Sequence, residues 1–234
     1  VVKYTVIDCE GVEPQMHGPA VASILVGKDC GVAPGASLYY WAEPSWKGDY
    51  KYRTTALNQI IEYNKNKPLK KKIRVVSVSK GFSTDEDNLS MWKEKIKEAE
   101  ENGIIIVHCS DEGDERFSGI GCKLYEDRDN PKNYDLCYFA NNKSFRKPIN
   151  SKYVPIDNRT TADYTGENDY AFWADGGLSW GAPYLAGVIA LGFQVNPNLE
   201  EKEIYQYLRE TGTPFNGGFI VNPKAFIKKV NELE

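Results

Sequence analysis

The 234 residues are long enough to bury a sizeable core, and a single α/β domain over residues 1–234 is expected. With 29 basic and 33 acidic residues, the chain lacks the general basic field of a nucleic-acid binder. Its longest apolar run, residues 184–193, contains two glycines and falls short of the ~20 residues a membrane span needs, so no membrane partner is expected either.

Five cysteines, an odd number without a C-x-x-C pair, argue against a zinc site and against a disulfide framework. Buried free thiols are expected, and they lean towards a reducing, cytoplasmic compartment. The chain starts with Val and shows no signal peptide. It is read as a processed or excised piece, so secretion after removal of a signal stays open.

Residues 1–7 form a β-rich strand ending at Asp8. An acidic residue at the carboxyl end of a buried strand faces the crevice where open α/β sheets bind ligands, though a turn-capping Asp fits equally well. A glycine-hinged helix start follows over residues 16–25, with Pro19 in its first turn and Val21, Ile24 and Leu25 on one face. Residues 31–36 turn into a strand over 37–42, and residues 51–66 have the apolar spacing of a helix. A short buried strand over 73–79 leads to Gly81. Residues 87–103 are amphipathic, with Leu89, Trp92, Ile96 and Ala99 at helical spacing and Gly103 beyond the end. Residues 104–107 form another buried strand.

The chain has two histidines, His17 and His108, and any serine–histidine chemistry must use one of them. His108 ends a buried strand and is expected in or beside the core. His17 stands at a helix entry. Residues 114–167 read as hairpins and loops, with β-like pieces at 136–140 and 153–156. Asp127, Arg128, Asp129 and Asn130 lack the spacing of a calcium loop and are read as a solvated turn. No metal or other cofactor is expected; calcium is possible but not indicated. Helices over 200–211 and 222–234 close the chain.

The run from Gly176 to Gly187 organises the rest. Ser179 sits between a glycine pair and an apolar helix, so the free N–H groups and positive dipole end of that helix lie beside its hydroxyl. Pro183 falls about one turn in. Gly177, Ser179, Pro183, Ala186 and Gly187 stand as in the family run Gly-Thr-Ser-Met-Ala-x-Pro-His-x-Ala-Gly, with Trp180 in place of Met. Upstream, residues 6–11 (VIDCEG), 17–22 (HGPAVA), 31–36 (GVAPGA) and 77–81 (SVSKG) follow in the same order as family motifs. On these segments the chain resembles the subtilisin-like serine proteases, the subtilases.

The resemblance implies a subtilisin-like fold, α/β and doubly wound, with a mainly parallel sheet covered by helices on both faces. It also implies a serine endopeptidase acting on peptide or protein substrates through an acyl-enzyme. Ser179 would be the nucleophile, His17 the general base and then acid, and Asp8 the carboxylate that orients His17. Ser79, Lys80 and Gly81 would pair with the substrate backbone. Three departures weaken that expectation. Only residues 9–16 separate Asp8 from His17, Leu178 replaces a Thr near the oxyanion, and Asp111 stands where the family's oxyanion-binding Asn does. The alternative is a degenerate subtilase that binds peptide or protein with little turnover.

Overall fold

The computed structural model describes residues 3–13, 15–110, 116–128, 130–136 and 152–232. Its first half alternates strand and helix as the sequence predicts. Strand β1 (Lys3–Val6) leads to helix α1 (His17–Val26), then β2 (Tyr39–Ala42), α2 (Lys51–Lys65), β3 (Val75–Val78), α3 (Leu89–Glu101) and β4 (Ile105–His108). Strands β5 (Phe117–Cys122), β6 (Tyr134–Asp135), β7 (Lys152–Pro155), β8 (Arg159–Ala162) and β9 (Tyr170–Trp173) follow. Helix α4 (Leu178–Val195) and helix α5 (Glu201–Thr211) precede the hairpin β10 (Thr213–Phe215) and β11 (Gly218–Ile220), and helix α6 (Pro223–Asn231) closes the chain.

Parallel pairing runs through the core. β1 pairs with β2, β3 with β4, and β7 with both β5 and β11. Antiparallel pairs lie outside these: β5 with β6, β10 with β11, and the separate hairpin β8–β9. Among the described residues the strands fall into four separately hydrogen-bonded groups, and β2 is not paired with β3.

Strand β4 shows why both faces are covered. All four of its residues are buried, and alternate side chains point to opposite faces. Ile105 and Val107 pack into a core with Ile24 of α1 and Leu185 and Ile189 of α4. Ile106 and the preceding Ile104 pack into a second core with Leu57 and Ile60 of α2 and Trp92 of α3. This is the continuous apolar strand of a doubly covered parallel sheet.

The closing helices carry local start signals. In α5 the Glu200 and Glu203 side chains form a reciprocal capping box. Asn222 caps α6, accepting from Ala225 N, with Pro223 in the first turn. Helix α4 is long and apolar enough to cross a membrane by length and composition, yet most of it is buried against α1, β3 and α6 as the core helix.

Candidate active site

The Ser179 helix is anchored from behind. Gly176 N donates to Asp157 Oδ1 at 3.0 Å. A Cβ added to Gly176 would fall 1.5 Å from the Ile156 carbonyl oxygen, so only glycine lets the chain pass β7 at this depth. Gly176→Ala should therefore destabilise the fold by about 3 kcal/mol, the upper part of the overpacking range. Gly35→Ala, where an added Cβ meets nothing within 4 Å, is the control and should stay within about 0.5 kcal/mol of the parent. Urea denaturation checks both. Equal midpoints for the two variants would contradict the close approach.

Gly177 is the extended N-cap of α4, and Ser179 lies in the first turn. Pro183 stands deeper in the helix than its first turn, so its missing N–H leaves one carbonyl without the usual bond, that of Ser179 four residues earlier. Ser79 fills this position. Its Oγ donates to Ser179 O at 2.9 Å, and Ser179 Oγ donates back to Ser79 O at 3.2 Å. The two serines, 100 residues apart in sequence, lock the end of β3 to the start of α4.

His17 is the first residue of α1, and its ring stacks on Trp180 with centroids 5.7 Å apart and planes inclined by 24°. Trp180 is 6% exposed and also meets Trp173 at 5.9 Å. The base candidate thus rests on the residue next to the candidate nucleophile. Partial burial of the imidazole pushes its pKa below the ordinary histidine value. The positive end of α1 acts in the same direction. A neutral imidazole, the form that accepts a proton, therefore persists to lower pH than in a free histidine.

Asp8 lies two residues beyond β1 in the left-handed region, at φ 52°. It is exposed, and its Oδ2 accepts from Lys47 Nζ at 2.7 Å. Hydrogen bonding to Lys47, then to Tyr52, lowers its pKa, so it is charged well into the acidic range. Among the described residues, no hydrogen bond joins His17 to Asp8 or to Ser179.

The 79–81 segment is already engaged within the chain. Lys80 N donates to Val78 O at 2.7 Å, Cys109 N donates to Lys80 O at 3.2 Å, and Tyr50 Oη donates to Gly81 O at 3.4 Å. The close approach that Gly81 permits is to Cys109 O, 3.1 Å from an added Cβ. Lys80 pairs with Glu86. Asp111 lies outside the described residues. His108 is 4% exposed, its Nδ1 accepts from Ser110 N, and its ring packs on Phe82, which accords with the expected core role.

Cys9, Cys30, Cys109 and Cys122 are free thiols; Cys137 lies outside the described residues, as does Asp129 of the predicted solvated turn. Burial pushes the Cys109 thiol up to about 12. Among the described residues, no group of three or more His, Cys, Asp or Glu is placed to hold a metal ion.

A subtilase family model matches residues 10–135. The chain belongs to the subtilase family. The matched span takes in His17 and Ser79 to Gly81; Asp8 lies just before it, and Ser179 lies well beyond its end. No curated protein matches the sequence. Solved structures share the fold. The subtilase cytotoxin SubAB structure is 16% identical, with TM-score 0.66, and 93% of this subtilase aligns with 77% of that chain. Fervidolysin from Fervidobacterium pennivorans, described as a keratinolytic enzyme related to subtilisin, is 18% identical, with TM-score 0.64 and coverage of 91% and 36%. The prenylagaramide maturation protease PagA is 17% identical, with TM-score 0.62 and coverage of 98% and 86%. These likenesses support the subtilisin-like α/β fold.

Two features of this subtilase site were not read from the sequence. One is the stack of His17 on Trp180, for which the only signal is an aromatic residue in the motif's Met position. The other is Ser79 as the partner of Ser179, signalled only by Pro183 removing the N–H that would have bonded Ser179 O.

Proposed function

We propose that this subtilase is a serine endopeptidase in which Ser179 attacks a peptide carbonyl and His17 takes its proton. The observation that carries the reading is the stack of His17 on Trp180, which sets the imidazole beside the first turn of α4. A serine there is a weak nucleophile until a neighbouring base accepts its proton. The free N–H groups of the helix start favour the negative charge that develops on the substrate oxygen. For the attack, Ser179 Oγ turns from Ser79 O to His17. Asp8 leaves Lys47 to orient the imidazole, and substrate backbone binds along 79–81. Catalytic hydrogen bonds of this kind often tighten only when substrate is bound.

Asp111 is proposed as an oxyanion donor that works only when protonated. A carboxylate near a forming negative charge is driven to its neutral form by repulsion and desolvation, and a neutral carboxylic acid donates a hydrogen bond. The rate then needs a neutral His17 and a protonated Asp111 together, which gives a small active fraction and a mildly acidic optimum. Asp111→Asn supplies a permanent donor. It should raise kcat at neutral pH, by up to the roughly 10²–10³ that one oxyanion donor supplies, and turn the pH profile into a single rise. Measuring kcat against pH on a peptide ester tests this. Profiles of the same shape for both forms would remove Asp111 from the oxyanion site.

A second reading, a peptide-binding subtilase with little turnover, is favoured by two contacts: Ser179 Oγ bound to Ser79 O, and Asp8 bound to Lys47. Reaction of the serine with an activity probe separates the two readings.

A further inference from the structure

Hairpin β8–β9 is joined to no other strand among the described residues, yet it reaches both helices that carry the candidate catalytic groups. Helix α1 begins with His17, and α4 holds Ser179 in its first turn. Side chains alternate along β9, so Tyr170 and Phe172 are exposed while Ala171 and Trp173 turn inward. Trp173 is paired with Arg159 across the hairpin, and the two share the inner face. Trp173 packs on Trp180 with ring centroids 5.9 Å apart, and the Arg159 guanidinium lies 5.1 Å from the centroid of the Tyr184 ring. Trp180 and Tyr184 are four residues apart on α4 and stand on one face of it. The same hairpin holds α1. Ala162 N donates to Ser23 Oγ at 2.9 Å, and Ser23 Oγ donates to Ala20 O at 2.8 Å. Tyr170 Oη donates to Asp29 Oδ2 at 2.9 Å, beyond the end of α1.

One hydroxyl fixes the inner face of the hairpin. Thr161 is fully buried, and its Oγ1 accepts from Trp173 Nε1 at 3.0 Å while donating to Ala162 O at 3.2 Å. A hydroxyl can serve both bonds at once. The bond sets the plane of Trp173, Trp173 backs Trp180, and Trp180 carries the His17 ring. His17 depends on that support. Among the described residues its ring has no hydrogen-bond partner, with Asp8 held by Lys47 and Ser179 Oγ by Ser79 O.

We propose that hairpin β8–β9 is a clamp that sets the His17 ring against the start of α4, with Thr161 and Trp173 as its positioning residues. The proposal deepens the Ser179–His17 reading and rests on it for the effect on rate. Thr161 and Trp173 act through Trp180 and touch no reacting atom. A base displaced by about 1 Å costs up to ~100-fold in rate, and substrate binding elsewhere in the cleft is left as it was. The placement of the ring itself is a matter of packing and can be read without turnover.

The test reads His17 directly. Its ring protons lie in the ring current of Trp180, so their NMR resonances are displaced from those of a free histidine. The chain has two histidines, and comparison with His17→Ala assigns them. Thr161→Val removes the acceptor with little change of size, and Trp173→Phe removes the donor but keeps a ring in place should Thr161→Val prove too unstable to measure. Each should move the His17 resonances towards the free position. The double variant should move them no further than the larger single shift, because both changes break one bond. Thr161→Ser, which keeps the hydroxyl, should retain the parent spectrum, and so should Phe172→Ser on the outer face of the same hairpin. On a peptide ester, Thr161→Val should lower kcat about tenfold with KM within about twofold, and Trp173→Ala should lower kcat by up to ~100-fold. Parent resonances in both Thr161→Val and Trp173→Phe, additive shifts in the double variant, or an equal shift in Phe172→Ser would overturn the clamp. Shifted resonances with an unchanged kcat would overturn the positioning role. A parent whose Ser179 is not labelled by an activity probe would refute the proposed protease function, and the His17 resonances would still decide the clamp.

Discussion

Ser179→Ala should lower kcat on a peptide ester by on the order of 10⁶, the cost of removing the nucleophile from an efficient triad, and by less in proportion as the parent is slower. His17→Ala should cost a similar factor, and the double variant should cost little more than either alone. Nucleophile and base act as one unit, so removing either removes the same step. The Asp111→Asn form, whose profile is a single rise, should show the pH signature of His17. Burial lowers its pKa, so the rising limb of kcat/KM should have its midpoint below the ordinary histidine value of about 6.5. The same shift acts on stability. In the window between the lowered folded value and the ordinary unfolded one, the unfolded chain binds more protons, so stability from this group is present above the window and lost as pH falls through it. Additive losses in the double variant would show that the two residues do not act together.

Asp8→Asn should lower kcat by up to ~10⁴ while leaving the fold and KM in place. An amide cannot fix the imidazole tautomer that accepts the serine proton. Stability should hardly change, because the pair that Asp8 makes with Lys47 is solvent-exposed and such pairs contribute little. The split between a large kcat effect and unchanged unfolding distinguishes orientation of His17 from a surface ion pair. The structure makes the test a demanding one, since Asp8 is bound to Lys47 and must leave it. Lys47→Ala is the companion variant: freeing Asp8 should leave kcat unchanged or raise it. If Asp8→Asn retains full kcat, Asp8 is only the partner of Lys47.

The elements were legible because their signals are local. Leu89, Trp92, Ile96 and Ala99 at helical spacing describe α3, and in the fold Trp92, Ile96 and Ala99 are buried. The apolar run at β4 describes a strand covered on both faces, and its alternate residues enter two different cores. Ser179 at a glycine-flanked helix start was legible for the same reason. The contacts that set the site were not, because they join distant parts of the chain. Ser79 and Ser179 are 100 residues apart, and Asp8 and Lys47 are 39 apart. Each pair depends on how a strand end meets a helix start or a turn, and no local pattern encodes that placement. The missing pairing between β2 and β3 was hidden for a related reason. Pattern shows that a strand is buried but not which edge is paired.

Pro183 marks the boundary between the two kinds of information. Its place about one turn into the helix was evident in the sequence. In the fold it lies inside α4, where the N–H it lacks would have bonded Ser179 O. The hydroxyl of Ser79 makes up that bond.

The most direct test of the proposed chemistry is labelling by a fluorophosphonate probe, which reacts only with an activated serine. The purified parent, the Ser179→Ala variant and the His17→Ala variant are treated together, and the labelled peptide is identified by mass spectrometry. Activation of Ser179 by His17 predicts one dominant label, on Ser179 in the parent, and none in either variant. An unlabelled parent, or a dominant label that persists in Ser179→Ala, would contradict it.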